Sequence, residues 1–113
     1  MKPKLKEKEK AALEEFTTQV REIAGKNLVR ILLYGSKARG DSHKDSDIDV
    51  AIIVRRLSSE IKDLVIRTSC EVNARYDYEV FIMPHLLPIE AFSSGKWLIL
   101  PLIKNIKREG TLL

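Results

Sequence analysis

Two apolar runs, LVRILLY at 28–34 and DIDVAIIV at 47–54, flank a polar stretch that opens with Gly35-Ser36. No other feature constrains the fold as strongly. The first run is rich in β-formers and stops at a glycine, so it reads as a buried strand. The second is more polar at its start than at its end and reads as another. The connection, 35–46, is about the minimum length for a parallel crossover, which leaves strand direction open.

Helical spacing surrounds this pair. Leu13, Phe16, Val20 and Ile23 recur on one face, so 4–24 is expected to be an amphipathic helix stopped by Gly25 as a left-handed cap. Ser58 or Ser59 can cap a second helix whose apolar face is Ile61, Leu64, Val65, Thr68 and Val72. A third strand is expected at 76–83, closed by Pro84, which cannot donate to a ladder. Helical pieces follow around 86–93 and 97–108, ended by Gly110. The mixture predicts an α/β or α+β domain, with one small mixed sheet flanked by helices. The 113 residues fit one domain, 1–113, without a linker or repeat.

Alternation places chemistry on one side of the second strand. Asp47, Asp49, Ala51 and Ile53 share a face, and Ile48, Val50, Ile52 and Val54 share the other. The two carboxylates are about 7 Å apart along the strand, at roughly 3.3 Å per residue. Left alone they repel, and a divalent cation such as Mg²⁺ or Mn²⁺ removes the conflict. In the expected third strand, Asp77 and Glu79 share a face with Phe81 and Met83. Glu79, next to the apolar run, is the candidate third acid, with Asp77 as fallback. Gly35 lets the backbone turn and approach a ligand closely, and Ser36 offers a hydroxyl and an N–H to phosphate. Lys37 and Arg39 add positive charge nearby. Such a set suits a triphosphate held with metal, and two ions can clamp both attacking and leaving oxygens.

Gly35-Ser36, ten residues, then Asp47-Ile48-Asp49 resembles the GS-x10-DxD signature of the DNA polymerase beta nucleotidyltransferase superfamily. The fuller text YGSKARGD…SDIDV is similar to its minimal nucleotidyltransferase branch, often paired with HEPN-domain partners in toxin–antitoxin modules. The closing KNIKREGTLL resembles that branch more weakly. The resemblance implies the polymerase beta-like fold, with Gly35 and Ser36 at the triphosphate and Asp47 and Asp49 as metal ligands. It also implies a third acid, usually aspartate, that helps deprotonate the attacking hydroxyl; Glu79 departs from that pattern. It implies ATP as substrate, two Mg²⁺ or Mn²⁺ ions, and transfer of AMP to a tyrosine of a HEPN-type toxin, which the chain would neutralise as an antitoxin. The alternative is a binding module with a vestigial site that neutralises its partner by contact, for which the apolar WLILPLI (97–103) offers a surface.

Other features carry less. The net charge of +4 owes much to MKPKLKEKEK, which lacks interleaved aromatics and reads as a solvated face rather than a nucleic-acid arm. One cysteine, Cys70, excludes an internal disulfide and a cysteine zinc cluster and reads as a small filler. With no apolar span or signal core, a cytoplasmic protein is expected. GSKARGDS approaches a Walker A loop, but Asp41 stands where lysine is needed and would repel phosphate. His43 and His85 have no metal-site spacing and receive no role, and Tyr76, Tyr78 and Trp97 are assigned to packing. Oligomeric state is left open.

Overall fold

The structure, a computed structural model, describes residues 4–40, 47–93 and 95–113. The order is α1 (Glu7–Ala24), β1 (Leu28–Tyr34), α2 (Ser36–Arg39), β2 (Ile48–Val54), α3 (Ser59–Arg75), β3 (Ile82–Pro88), α4 (Gly95–Leu98), α5 (Pro101–Glu109) and β4 (Thr111–Leu112). The strands form one mixed sheet in the order β3-β2-β1-β4.

The direction left open by loop length is antiparallel for β1 and β2, in a register that sets Tyr34 opposite Asp49. β3 runs parallel to β2, with Ile48 opposite Ile82 and Asp49 opposite Met83. The expected alternation along β2 decides the layering. Ile48, Val50, Ile52 and Val54 are buried with Phe16 and Val20 of α1 and Val65 and Val72 of α3. The opposite face carries Ala51 and Leu87 against Ala91 and, from α5, Ile103 and Ile106. Helix α3 is capped as expected, the Ser58 hydroxyl accepting the Ile61 N–H at 3.2 Å. Of its expected apolar face, Leu64 instead lies exposed, and Ser69 and Asn73 are buried.

The third strand falls elsewhere than expected. Helix α3 runs through to Arg75, and Asp77 and Tyr78 then take positive φ of 54° and 59°, a turn that no strand accommodates. β3 begins only at Ile82 and contains Pro84 rather than ending before it. The Ile48 N–H bonds to the Phe81 carbonyl, so odd-numbered residues of β3 face β2 and even-numbered ones face the outer edge. Pro84 therefore removes no bond from the ladder, as a proline on an edge strand must not. Asn73 completes that edge: its amide accepts the Ile82 N–H at 2.9 Å and donates to the Ile82 carbonyl at 3.2 Å. The expected helix at 86–93 is thus the end of β3 followed by a 3₁₀ turn at Ile89–Phe92. The piece at 97–108 is divided into α4 and α5, with Pro101 opening α5.

Candidate active site

At the carboxyl end of β1 the chain turns through Gly35, with φ +78° and ψ −158°. A Cβ built there would lie 2.6 Å from Asp49 Oδ2. Only glycine therefore allows the loop to lie directly over this carboxylate. Ser36 follows at the start of α2, half-buried. Asp47 is exposed just before β2 and Asp49 half-buried within it. Gly35 and Asp49 are thus brought into contact, with Ser36 and Asp47 their chain neighbours.

Lys37 does not face this site. Its ammonium is buried, 2.8 Å from a Glu9 oxygen that is equally buried, so it fastens α2 to α1. The expected positive charge at the triphosphate is spent inside the protein. Arg39 is about one-third exposed and its guanidinium lies 2.9 Å from Glu109 Oε1.

Glu109, to which the sequence reading gave no role, organises the loop. Its buried carboxylate accepts the Gly35 N–H at 3.1 Å, Arg39 at 2.9 Å and Arg108 at 3.2 Å. Burial pushes its pKa up, yet the bonds from Arg108, Arg39 and Gly35 together hold it below the usual glutamate range. One signal was available. An acid in the last turn of a helix opposes the macrodipole, so a glutamate ending α5 needs a tertiary reason to be there.

Glu79 and Asp77, the expected third acids, are not on a strand at all. Asp77 occupies the turn, exposed. The exposed Glu79 pairs with Lys8 of α1, which packs against the opposite face of the sheet from Asp49. The Lys8 bond and charge hold Glu79 below its usual pKa. On β3, the side chains sharing the Asp49 face are Met83, His85 and Leu87. His85 Nε2 lies 3.6 Å from Asp49 Oδ1, and its ring meets Tyr34 edge-on at 5.7 Å. Burial, followed by the charges of Asp49 and Glu109, raises the Tyr34 phenol, which stays protonated. Asp41, His43, Lys44 and Asp45 of the connecting loop lie outside the described residues.

Asp47 and Asp49 offer the hard oxygen donors that a divalent cation takes. Among the described residues no three metal-ligating side chains are grouped. A groove of about 310 Å³, lined by Leu32, Ile53, Phe92 and Ile106 together with the charged Arg30 and Lys107, contains none of these residues. No helix among the described residues is long and apolar enough to cross a membrane.

A mixed sheet whose Gly-Ser loop rests on an Asp-x-Asp strand is the arrangement that the resemblance to nucleotidyltransferases leads one to expect. The nucleotidyltransferase domain family matches residues 13–110, and the chain belongs to that family. It is 33% identical over 66 residues to the "Putative protein adenylyltransferase MJ0141" of Methanocaldococcus jannaschii, a match covering 58% of this chain and 67% of the relative. A toxin–antitoxin structure with AMP-PNP superposes with a TM-score of 0.56 at 19% identity, covering 88% of this chain and 70% of that one. A MntA–HpeT toxin–antitoxin mutant gives 0.55 at 20%, with the same coverages. At these identities the two structures establish the shared fold, and the sequence matches establish the family.

Proposed function

We propose that this chain transfers AMP from ATP to a hydroxyl of a partner protein, and that the partner is a toxin of the HEPN type which the modification neutralises. The observation that carries the reading is the seat of Gly35 on Asp49, which sets the loop backbone against the second carboxylate of the Asp-x-Asp pair. The name of the archaeal relative and the toxin–antitoxin setting of the structural neighbours support the choice of acceptor.

Ser36 would hold the phosphates through its backbone N–H and hydroxyl, while Gly35, its own N–H kept by Glu109, lets the loop approach closely. Asp47 and Asp49 would hold a divalent cation, which neutralises triphosphate charge when bound. The acceptor oxygen forms a bond to the α-phosphorus while the bond to the bridging oxygen breaks. Pyrophosphate departs, and the hydroxyl proton passes to water. Glu109 and Arg39 keep the loop in place, so much of the chain's contribution is positioning.

ATP labelled at the α-phosphate, incubated with this chain, Mg²⁺ and the candidate partner, tests the proposal. Label should appear in the partner and vanish with Asp47→Asn. A second reading has its own observation: β3 brings no acid to the site. Under it the chain neutralises by contact alone, no label appears, and Asp47→Asn neutralises as well as wild type.

A further inference from the structure

We propose that the groove at the far end of the sheet from Gly35 docks an acidic, amphipathic helix of the acceptor protein. The inference rests on the reading that the acceptor is a protein, and deepens it. Leu32, Ile53, Phe92 and Ile106 form the apolar floor of this space of about 310 Å³. Ile53 and Ile106 are almost wholly covered, whereas Ile89, which also lines it, is 42% exposed. Two cations complete the lining, Arg30 of β1 and Lys107 of α5. Both are exposed, and among the described residues neither has an ion-pair partner and no carboxylate lines the groove.

A local irregularity sets Arg30 there. In a regular strand Leu28 and Arg30 would share a face. β1 is bulged between them, so Leu28 packs with the core under α1 and α3 while Arg30 stands opposite Ile53 on the α5 side. Exposed ion pairs contribute only about 0–1 kcal/mol each, so the two cations would hold a free small anion weakly. Their part is to select the sign of the occupant, and the apolar floor supplies the contact. A segment of a larger partner gains in another way. Ile53 lies four residues from Asp49 on the same face of β2, about 13 Å at roughly 3.3 Å per residue. A partner with its hydroxyl at Asp49 can thus reach the groove, and each contact raises the effective concentration of the other. The floor is a sheet face rather than an edge, so an extended segment finds no ladder to join. A helix with apolar residues along one side and acids flanking them fits an apolar floor that carries two cations.

The test titrates the full chain with a synthetic amphipathic helix, leucines along one side flanked by glutamates, and follows backbone amide shifts by NMR. The amides of Phe92, Ile106 and Lys107 should move. The same helix with lysines for glutamates should bind about tenfold more weakly, and Arg30→Glu with Lys107→Glu should reverse the preference. Both substitutions fall at exposed positions outside the loop and the carboxylates. With the candidate partner and ATP, this double variant should raise KM for the partner about tenfold at unchanged kcat, with affinity for an ATP analogue also unchanged. Equal binding of the two helices, or of neither, would overturn the proposal. So would decanoate moving these amides where the acidic helix does not, which makes the groove a small-molecule site. A dimer in sedimentation that the double variant disperses would make the occupant a second copy and overturn it too. Partner binding that the double variant weakens, with no label transferred, would uphold the groove and sink AMP transfer alone. Label transferred with KM unchanged in the double variant would sink the docking alone.

Discussion

The Glu109 carboxylate and the Gly35 amide are 74 residues apart in the chain and 3.1 Å apart in space. The end of the last long helix thereby fixes the loop that rests on Asp49. The same carboxylate holds Arg39, so the backbone and a cation of one loop share an acceptor.

Removing that acceptor should loosen the loop and the fold together. Glu109→Ala removes the acceptor that the part-buried loop amide of Gly35 shares with Arg39, a loss of about 1–3 kcal/mol. Urea denaturation should show a lower midpoint, and direct titration should show weaker binding of an ATP analogue. Unchanged binding at a lowered midpoint would confine Glu109 to stability.

The low pKa of Glu109 gives a pH signature. The folded chain releases this proton more readily than the unfolded one, so the bonds to Glu109 contribute fully above the ordinary value near 4.5. The contribution declines as pH falls through the lower folded value, because the unfolded state then binds more protons. Melting temperatures between pH 3 and about 6 should fall more steeply for wild type than for Glu109→Gln. Parallel curves would refute the assignment.

Gly35→Ala meets two obstacles, a positive φ and a contact with Asp49 Oδ2. The backbone strain alone costs about 1–3 kcal/mol. Adding Asp49→Ala removes the oxygen that collides, so the double variant should recover part of the stability lost by Gly35→Ala. A double-mutant cycle measures this; strict additivity would mean that the loop does not rest on Asp49.

Lys37 should matter for folding rather than for charge at the nucleotide. Lys37→Ala strands the buried Glu9 carboxylate and should destabilise by about 3–5 kcal/mol. Lys37→Met with Glu9→Gln removes both charges and should lose much less, while keeping nucleotide affinity. A folded double variant with nucleotide binding abolished would restore Lys37 to the phosphates.

Glu79→Gln should leave labelling of the partner at the wild-type rate, since Glu79 faces Lys8 rather than Asp49. A loss comparable to that of Asp47→Asn would return Glu79 to the site as the third acid.

The sheet was legible where alternation and burial agree. β1 and β2 emerge from the sequence because they are short apolar runs rich in β-formers and bounded by Gly35 and a polar stretch, which suits strands covered on both faces, as β2 is from Val50 to Val54. β3 was misplaced because Tyr76-Asp77-Tyr78-Glu79-Val80 also alternates, and because a proline usually ends a strand. Only the ladder shows that Pro84 points outward, and ladders are properties of pairs. Spacing brought out Gly35, Ser36, Asp47 and Asp49 as candidates within a short stretch. The burial of Lys37 against Glu9 and the reach of Glu109 to Gly35 are tertiary events between distant segments, with only the odd acid at the end of α5 as a trace.

The outer rim of β3 has one more effect. Pro84 and Pro88 carry no N–H, and the Ile82 amide is already taken by Asn73, so Leu86 supplies the single remaining outward donor of that strand. At the other rim β4 is two residues long. A sheet bordered in this way offers an incoming β-strand almost no template. The β3 rim is thereby guarded against edge-to-edge self-association, since a strand laid along it would meet acceptors with scarcely a donor among them.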